Sequence, residues 1–310
     1  MSTPTPCASP FPSGSVTLVL DAPQQAISTQ ALPNNFRSMA SLKIAGNTAS
    51  GSAQYSLSQL QAMISQKVVT TPLVVVDLRQ ESHGFLTVNP ALYGETEIAV
   101  GWFAERDWIN VDKDLPSIVT FENRNLVTVS NSQNLAVYQI TSKTPTEDGI
   151  CTATANTVIT TTTQTEQALT QSLGVGYLRL PTTDHCRPRD YEVDQFVAYE
   201  AALKPGTWLH FHCRAGDGRT TVFMAMHDIM NNAIVNNGPG STLSEILTRQ
   251  GPKANGGIGG IDLATEPKDQ SDFDYPFSQD RVQFMQLFYA YVQEQKANGF
   301  GTKWSDWISA

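Results

Sequence analysis

No uninterrupted apolar stretch in the 310 residues approaches the roughly 18 needed to span a bilayer, which excludes a membrane-crossing helix. Basic charge is not in excess either. Twenty Lys and Arg stand against 29 Asp and Glu, a net charge of −9, which argues against a nucleic acid or anionic membrane held by the overall field. It does not argue against a small anionic substrate, because a few arginines can dominate inside a cleft. Four cysteines are too few for a disulfide framework. Cys7 lies in a Pro/Ser/Thr-rich tail and Cys151 in a polar loop, and spacing alone leaves a Cys151–Cys186 bridge open. No segment recurs at a period of about 20–50 residues. The first residues carry no basic segment, and the apolar run Val16–Leu20 is too short for a secretion signal. A cytoplasmic protein and a mature form whose signal was replaced by Met1 both remain open. With 40% apolar and 16% charged residues the chain reads as globular, with length for one large domain or two.

What is present reads as α/β. Residues 1–30 are expected to form an extended or mobile arm of Pro, Ser, Thr and Gln. "YSLSQLQAMISQK" spaces Leu57, Leu60 and Ile64 along one helical face, with Ser56 as cap. "TPLVVVDLR" has the continuous β-branched character of a strand buried on both faces of a parallel sheet. From Ser117 to about Thr165, "SIVTFENRNLVTVSN", "LAVYQITS" and "NTVITTTTQT" read as strands, so a small β-rich insertion is expected at about 115–165. "EQALTQSLG" then reads as a helix ending at Gly174, and "GYLRL" as a strand. "YEVDQFVAYEAALKPG" reads as an amphipathic helix and "TWLHFH" as another buried strand. Thr220–Asn231, apolar on nearly every side, predicts a deeply buried helix. "RVQFMQLFYAYVQEQ" spaces Val282, Met285, Tyr289 and Val292 along a last packed helix.

"HFHCRAGDGRTT" (His210–Thr221) sits between a buried strand and a buried helix, and it concentrates the chemistry. Backbone N–H groups of a glycine-rich turn entering a helix make an anion cradle. Gly216 and Gly218 permit the turn conformations, and Arg214, Ala215 and Asp217 complete the loop. Cys213 at its start faces those dipoles, which favour a thiolate nucleophile. Arg219 presents a planar fork to two phosphate oxygens, which Lys cannot. Thiolate, cradle and fork together describe in-line attack on a phosphoryl group. A Walker-type loop is excluded, since no G-K-[ST] follows, and a dinucleotide fingerprint is not completed. Leaving-group protonation requires an acid. Asp184 in "PTTDHCRP", 29 residues before Cys213, is the candidate, with a turn-forming role as the alternative. Thr220 is read as a donor to the sulfur, a helix cap, or both. His212 is expected to orient the loop.

"HCRAGDGRTT" fits the H-C-x5-R-[ST] signature of the protein tyrosine phosphatase superfamily, and its form resembles the bacterial PTP-like phytases. "NFR" (Asn35–Arg37), "GSAQYS", "VVDLRQESHGFL", "ERDWIN" and "GVGYLRLPTTDH" support that branch. The resemblance implies a mostly parallel PTP-like sheet flanked by helices over 31–310, and a cysteine-dependent phosphatase acting on inositol polyphosphates. It also implies Asp184 as general acid, a secreted or periplasmic location, and no cofactor. No His/Cys/Asp/Glu set has metal-ligand spacing along the chain.

A densely anionic substrate needs cations beyond Arg219. The candidates are Arg37, Arg79, Lys113, Arg187, Arg189 and Arg214, with Lys253 in the Gly-rich 251–260 segment. His185 is expected either to touch substrate phosphate or to pair locally. Asp77 and His83 resemble pocket residues of the family, Asp77 accepting from a substrate hydroxyl or ordering nearby cations. The competing readings are a phosphotyrosine or dual-specificity protein phosphatase, and a catalytically silent phosphate-binding module. Oligomeric state is not legible.

Overall fold

Two sheets carry the fold, and their strands interleave along the chain. The computed structural model describes residues 17–22, 31–102, 114–143, 150–236, 238–265 and 275–310. In chain order the sheet strands are β1 (Leu18–Leu20), β2 (Arg37–Ser38), β3 (Ala49–Ser52), β4 (Leu73–Arg79), β5 (His83–Val88), β6 (Glu97–Trp102), β7 (Leu135–Lys143), β8 (Ile150–Val158), β9 (Thr160–Gln164), β10 (Gly176–Thr182) and β11 (Trp208–His212). One sheet is ordered β10-β4-β11-β3-β2 and is parallel except at the β2–β3 edge. The other is ordered β8-β7-β1-β6-β5-β9 and is antiparallel except where β1 meets β7.

The helices are α1 (Leu57–Ser65), α2 (Pro90–Tyr93), α3 (Leu115–Val129), α4 (Glu166–Ser172), α5 (Asp190–Ala201), α6 (Gly218–Asn232), α7 (Leu243–Gln250), α8 (Tyr275–Gln295) and α9 (Trp304–Trp307). None of the described helices is long and apolar enough to cross a membrane.

Period-two alternation in the central strands positions the site. Val76 and Leu78 of β4, with Leu209 and Phe211 of β11, join the core that also holds Phe196 of α5, Phe223 and Met226 of α6, and Phe288 of α8. Each such side chain contributes roughly 1.5–3 kcal/mol by leaving water. Val75 and Trp208 belong instead to the core on the opposite face, with Tyr55, Leu60, Phe85 and Leu169. The register pairs His212 with Asp77. Both side chains therefore share that opposite face.

The expected helices and strands around the glycine-rich loop are present. Ser56 caps α1 and accepts from Gln59 N, with Gln59 returning the bond in a capping box. Thirteen of the fifteen α6 residues are buried, as the all-round apolar reading required. In α8 the buried face runs through Phe284, Met285, Phe288, Tyr291 and Val292, so Val282 and Tyr289 are only partly covered.

Two expectations are corrected. The β-branched content of Ser117–Val129 favours a strand, but the segment lies in α3. Asp114 caps that helix by accepting from Ser117 N at 2.8 Å, and Pro116 occupies its first turn. Ile118, Glu122, Leu126 and Val129 fall on one face and are buried, so helical period outweighs strand propensity. Within the supposed arm, Leu18–Leu20 form a strand between β6 and β7 with Leu18 and Val19 buried, and the Asp21 carboxylate is buried beyond it.

Candidate active site

The turn from β11 into α6 is fastened from outside by the segment 34–54. The carbonyls of Arg214, Ala215 and Gly216 accept hydrogen bonds from Gln54 N (3.1 Å), Asn35 Nδ2 (2.9 Å) and Arg37 NH1 (2.6 Å). In a trans peptide the N–H of the next residue points the opposite way. Latching those three carbonyls outward turns the N–H groups of Ala215, Gly216 and Asp217 inward. The Gly216 N–H does donate to Cys213 Sγ, at 3.2 Å. Gly216 has φ 78°, and a Cβ there would lie 2.3 Å from Ala53 N, so glycine is required twice over. Asp217 takes part through its backbone, since its carboxylate accepts from Asn35 Nδ2 at 3.1 Å.

Cys213 is buried, and its sulfur also accepts from the Thr220 hydroxyl at 3.3 Å. Two donors thus converge on the sulfur, and they stabilise negative charge there. Arg219 reaches the same floor and is held by both oxygens of Glu81, NH1 to Oε2 at 2.8 Å and NH2 to Oε1 at 3.1 Å. Glu81 also accepts from Arg79 Nε at 2.9 Å. Burial acts to raise the Glu81 carboxyl, but Arg219 and Arg79 outweigh it and hold it well below the ordinary range. Arg79 in turn meets Asp21 Oδ2 at 2.8 Å, and Asp21 Oδ1 accepts from Arg214 Nε at 2.8 Å. Alternating charges therefore run from Arg214 through Asp21, Arg79 and Glu81 to Arg219. The run ends at Asp184, whose Oδ1 lies 3.2 Å from Arg219 NH2.

Behind the loop, between the two sheets, lies a second buried polar cluster. His212 Nε2 is 2.7 Å from Glu166 Oε1, and His83 Nε2 lies 3.1 Å from Glu166 Oε2 and 3.2 Å from Asp77 Oδ2. Tyr177 donates to Asp77 at 2.6 Å, Tyr55 donates to Glu166, and Arg179 bridges Asp77 and Glu122. Burial alone would lower the His83 pKa, but Asp77 and Glu122 push it up to about 10. His210 is the opposite case. Burial, with His212 adding to it, takes its pKa down to about 3, and the neutral ring sits between the hydroxyls of Ser50 and Ser52. The ligand atoms of Asp77, His83 and Glu166 lie within 4.8 Å of one another, a spatial cluster invisible in chain spacing. The imidazolium of His83 and the Arg179 guanidinium, the latter shared with Glu122, face its carboxylates.

Asp184 is 31% exposed, and the structure brings it, Cys213 and Arg219 together, with Thr220 as sulfur donor and His212 as brace. His185 has φ 63° and lies 3.9 Å from Asp184. Three assignments change. Arg37 is 4% exposed and also donates to Thr221 Oγ1 at 3.0 Å, so it braces the loop and does not reach an outer phosphate. Asp77 is fully buried and all its contacts are internal, so it orders cations and meets no substrate hydroxyl. Arg79 is spent on Asp21 and Glu81. Among the other expected cations, Arg187, Arg189 and Arg214 are partly exposed, each with an acidic partner, and Lys253 is exposed. Lys113 and all of "ERDWIN" lie outside the described residues. Cys186 is a free thiol, pushed up to about 11 by burial and Asp280.

Sequence reasoning missed Asp21, Glu81, Glu166, Arg179 and Arg281. Only Glu81 and Arg179 carried a signal, lying inside "VVDLRQESHGFL" and "GVGYLRLPTTDH".

The PTP-like phytase family model, described as inositol hexakisphosphate, matches residues 76–231. Among curated proteins, effector protein hopD2 of Pseudomonas syringae pv. tomato is 25% identical over 237 residues, 76% of this chain and 46% of that protein. Among solved structures, the tandemly repeated PTP-like phytase of Mitsuokella multacida matches with a TM-score of 0.77 at 30% identity, over 97% of this chain and 50% of that one. The chain thus spans about half the length of both. A PTP-like phytase from Bdellovibrio bacteriovorus matches with a TM-score of 0.69 at 32% identity, over 100% of this chain and 98% of that one. The fold is the α/β fold of these proteins. With the family model covering half of the chain, Asp184, Cys213 and Arg219 included, and a relative of equal extent at that identity, this chain belongs to the PTP-like phytase family.

Proposed function

We propose that the chain hydrolyses phosphate monoesters of inositol polyphosphates through a phosphocysteine intermediate. The observation that carries the reading is the convergence of the Thr220 hydroxyl and three inward N–H groups, that of Gly216 donating to the sulfur, around Cys213, with Arg219 on one side and Asp184 at 3.2 Å from Arg219. A PTP-like myo-inositol phosphatase of Mitsuokella multacida, 30% identical with a TM-score of 0.76, has been solved with myo-inositol-(1,3,4,5)-tetrakisphosphate, which supports this substrate class.

In the first half-reaction the thiolate of Cys213 attacks phosphorus and the P–O ester bond breaks. Asp184, entering as the acid, gives its proton to the departing inositol oxygen. The N–H groups of Ala215, Gly216 and Asp217 and the Arg219 fork hold the non-bridging oxygens where charge develops. Phosphate arriving at Arg219 displaces the Asp184 side chain from it, and the carboxyl, carrying its proton, turns towards the leaving oxygen. In the second half-reaction Asp184 takes a proton from water, the water oxygen bonds phosphorus, and the P–S bond breaks. Thr220 and Gly216 N–H receive the returning thiolate. Further ring phosphates would draw on Arg214, Arg187, Arg189 and Lys113.

The test is steady-state phosphate release from inositol hexakisphosphate and from a phosphotyrosine peptide. This reading expects kcat/KM at least tenfold higher on the inositol. Preference for the peptide would replace it with the protein phosphatase reading, and no release from either with the silent binding module.

A further inference from the structure

Immediately after Asp184 the chain is held by a helix that joins the molecule far downstream. Arg281 of α8 is buried and donates through NH1 to the His185 carbonyl at 2.8 Å, while NH2 donates to Ser278 Oγ at 2.9 Å. A Cβ built on Gly218, the first residue of α6, would lie 3.1 Å from the same NH1. The guanidinium is thus packed between the acid-bearing segment and the end of the catalytic loop. Two further contacts repeat the pattern. Arg187 Nε lies 3.5 Å from Asp280 Oδ2, and the Arg187 guanidinium stands 5.7 Å from the centre of the Phe284 ring. Three α8 residues within one turn and a half therefore grip residues 185–187. Residues 275–295 lie wholly outside the 76–231 covered by the family model.

The backbone at this point needs fixing. His185 sits in the left-handed region at φ 63°, a conformation that L side chains adopt at a cost. A surrounding contact must hold it there. The His185 carbonyl is one bond system away from Asp184, so a change in its direction rotates the carboxyl relative to Cys213 and Arg219.

We infer that Arg281 is a positioning residue for the general acid, fixing the Asp184–His185 backbone against the N-terminal end of α6. The inference rests on the reading of Asp184 as the acid. It touches neither substrate nor the reacting atoms. It acts on how well the leaving oxygen is protonated, and a hydrogen bond from a charged group to a buried carbonyl is strong enough to shift a local equilibrium by roughly tenfold to a hundredfold.

The experiment uses the full chain with Arg281→Met, Arg281→Lys and, in parallel, Asp184→Asn. Each is assayed for kcat and KM on inositol hexakisphosphate, an alkyl ester that needs the acid, and on para-nitrophenyl phosphate, whose phenolate leaves with little help. Arg281→Met should lower kcat/KM, which reports formation of the phosphocysteine, by roughly 10–100-fold on the inositol ester and by less than about threefold on the aryl ester. Arg281→Lys, which keeps a charged donor and tolerates folding better, should recover part of the inositol kcat/KM. Equal losses of kcat/KM on both esters in Arg281→Met and Arg281→Lys would overturn the inference and leave Arg281 a purely structural residue. So would an unchanged inositol kcat/KM. If Asp184→Asn itself shows no leaving-group dependence, the acid assignment fails and the inference with it. If Asp184→Asn shows the dependence and the Arg281 variants do not, only the inference fails.

Discussion

Replacing Arg37 by Met separates a brace beneath the catalytic loop from a cation that touches substrate. The side chain is 4% exposed and donates to Gly216 O at 2.6 Å and to Thr221 Oγ1 at 3.0 Å. Hydrogen bonds from a charged group contribute about 1.5–3 kcal/mol each, and the orphaned Gly216 carbonyl adds a desolvation cost that packing of the Met side chain partly offsets. A loss of about 3 kcal/mol in unfolding free energy is expected, read by urea denaturation. Catalysis should fall as well. With its carbonyl unlatched, the Gly216–Asp217 peptide no longer holds its N–H inward, and a misplacement near 1 Å costs on the order of 10²-fold. Because the defect lies in the cradle, kcat/KM should drop alike on inositol hexakisphosphate and on an aryl monophosphate. Added salt should not change the ratio, since the contacts are buried and unscreened. A KM increase confined to the inositol substrate, shrinking at high ionic strength, would refute this reasoning and return Arg37 to the substrate.

Four further outcomes follow from the same geometry. Glu81→Gln removes the charge between Arg79 and Arg219, and breaking a buried pair in this way should cost about 3–5 kcal/mol of stability, with kcat/KM down at least tenfold; both are read on the purified variant. Asp184→Asn should lower kcat/KM on an inositol ester by roughly 10²–10⁴-fold and on a good-leaving-group aryl ester far less; equal losses would mean another role. His83 has a folded pKa of about 10 against about 6.5 in the unfolded chain. Its stabilisation is therefore complete below about pH 6.5 and is lost as pH rises towards 10. Urea denaturation across that window should show wild-type stability falling and His83→Gln nearly flat. Arg214→Met should raise KM for inositol hexakisphosphate several-fold at low salt and by less at high salt, while hardly altering KM for a monophosphate.

The glycine-rich loop was legible because its signal is local. A thiol, two glycines and an arginine between a buried strand and a buried helix occupy a dozen consecutive residues, and Ser56 with Gln59 writes its own cap. The partners that orient them are not local. Glu81 meets Arg219 across 138 residues, and Arg281 meets His185 across 96. Nothing in one sequence ties such pairs together. Arg37 shows a different limit. It was found, but residue type alone does not distinguish a guanidinium that latches a carbonyl from one that awaits a phosphate. Only burial and the bond to Gly216 O decide it. In α3 the β-branched residues misled because propensity is weak beside an Asp cap, a proline in the first turn and a buried stripe with helical period.

The central claim is that phosphate passes through Cys213. Rapid acid quench of the enzyme during turnover of radiolabelled inositol hexakisphosphate, followed by peptide mapping, tests it directly. The account predicts acid-trapped label on the peptide bearing Cys213, formed at a rate no slower than turnover, and none in Cys213→Ser. Turnover by Cys213→Ser near the wild-type rate, or label on any other residue, would contradict it.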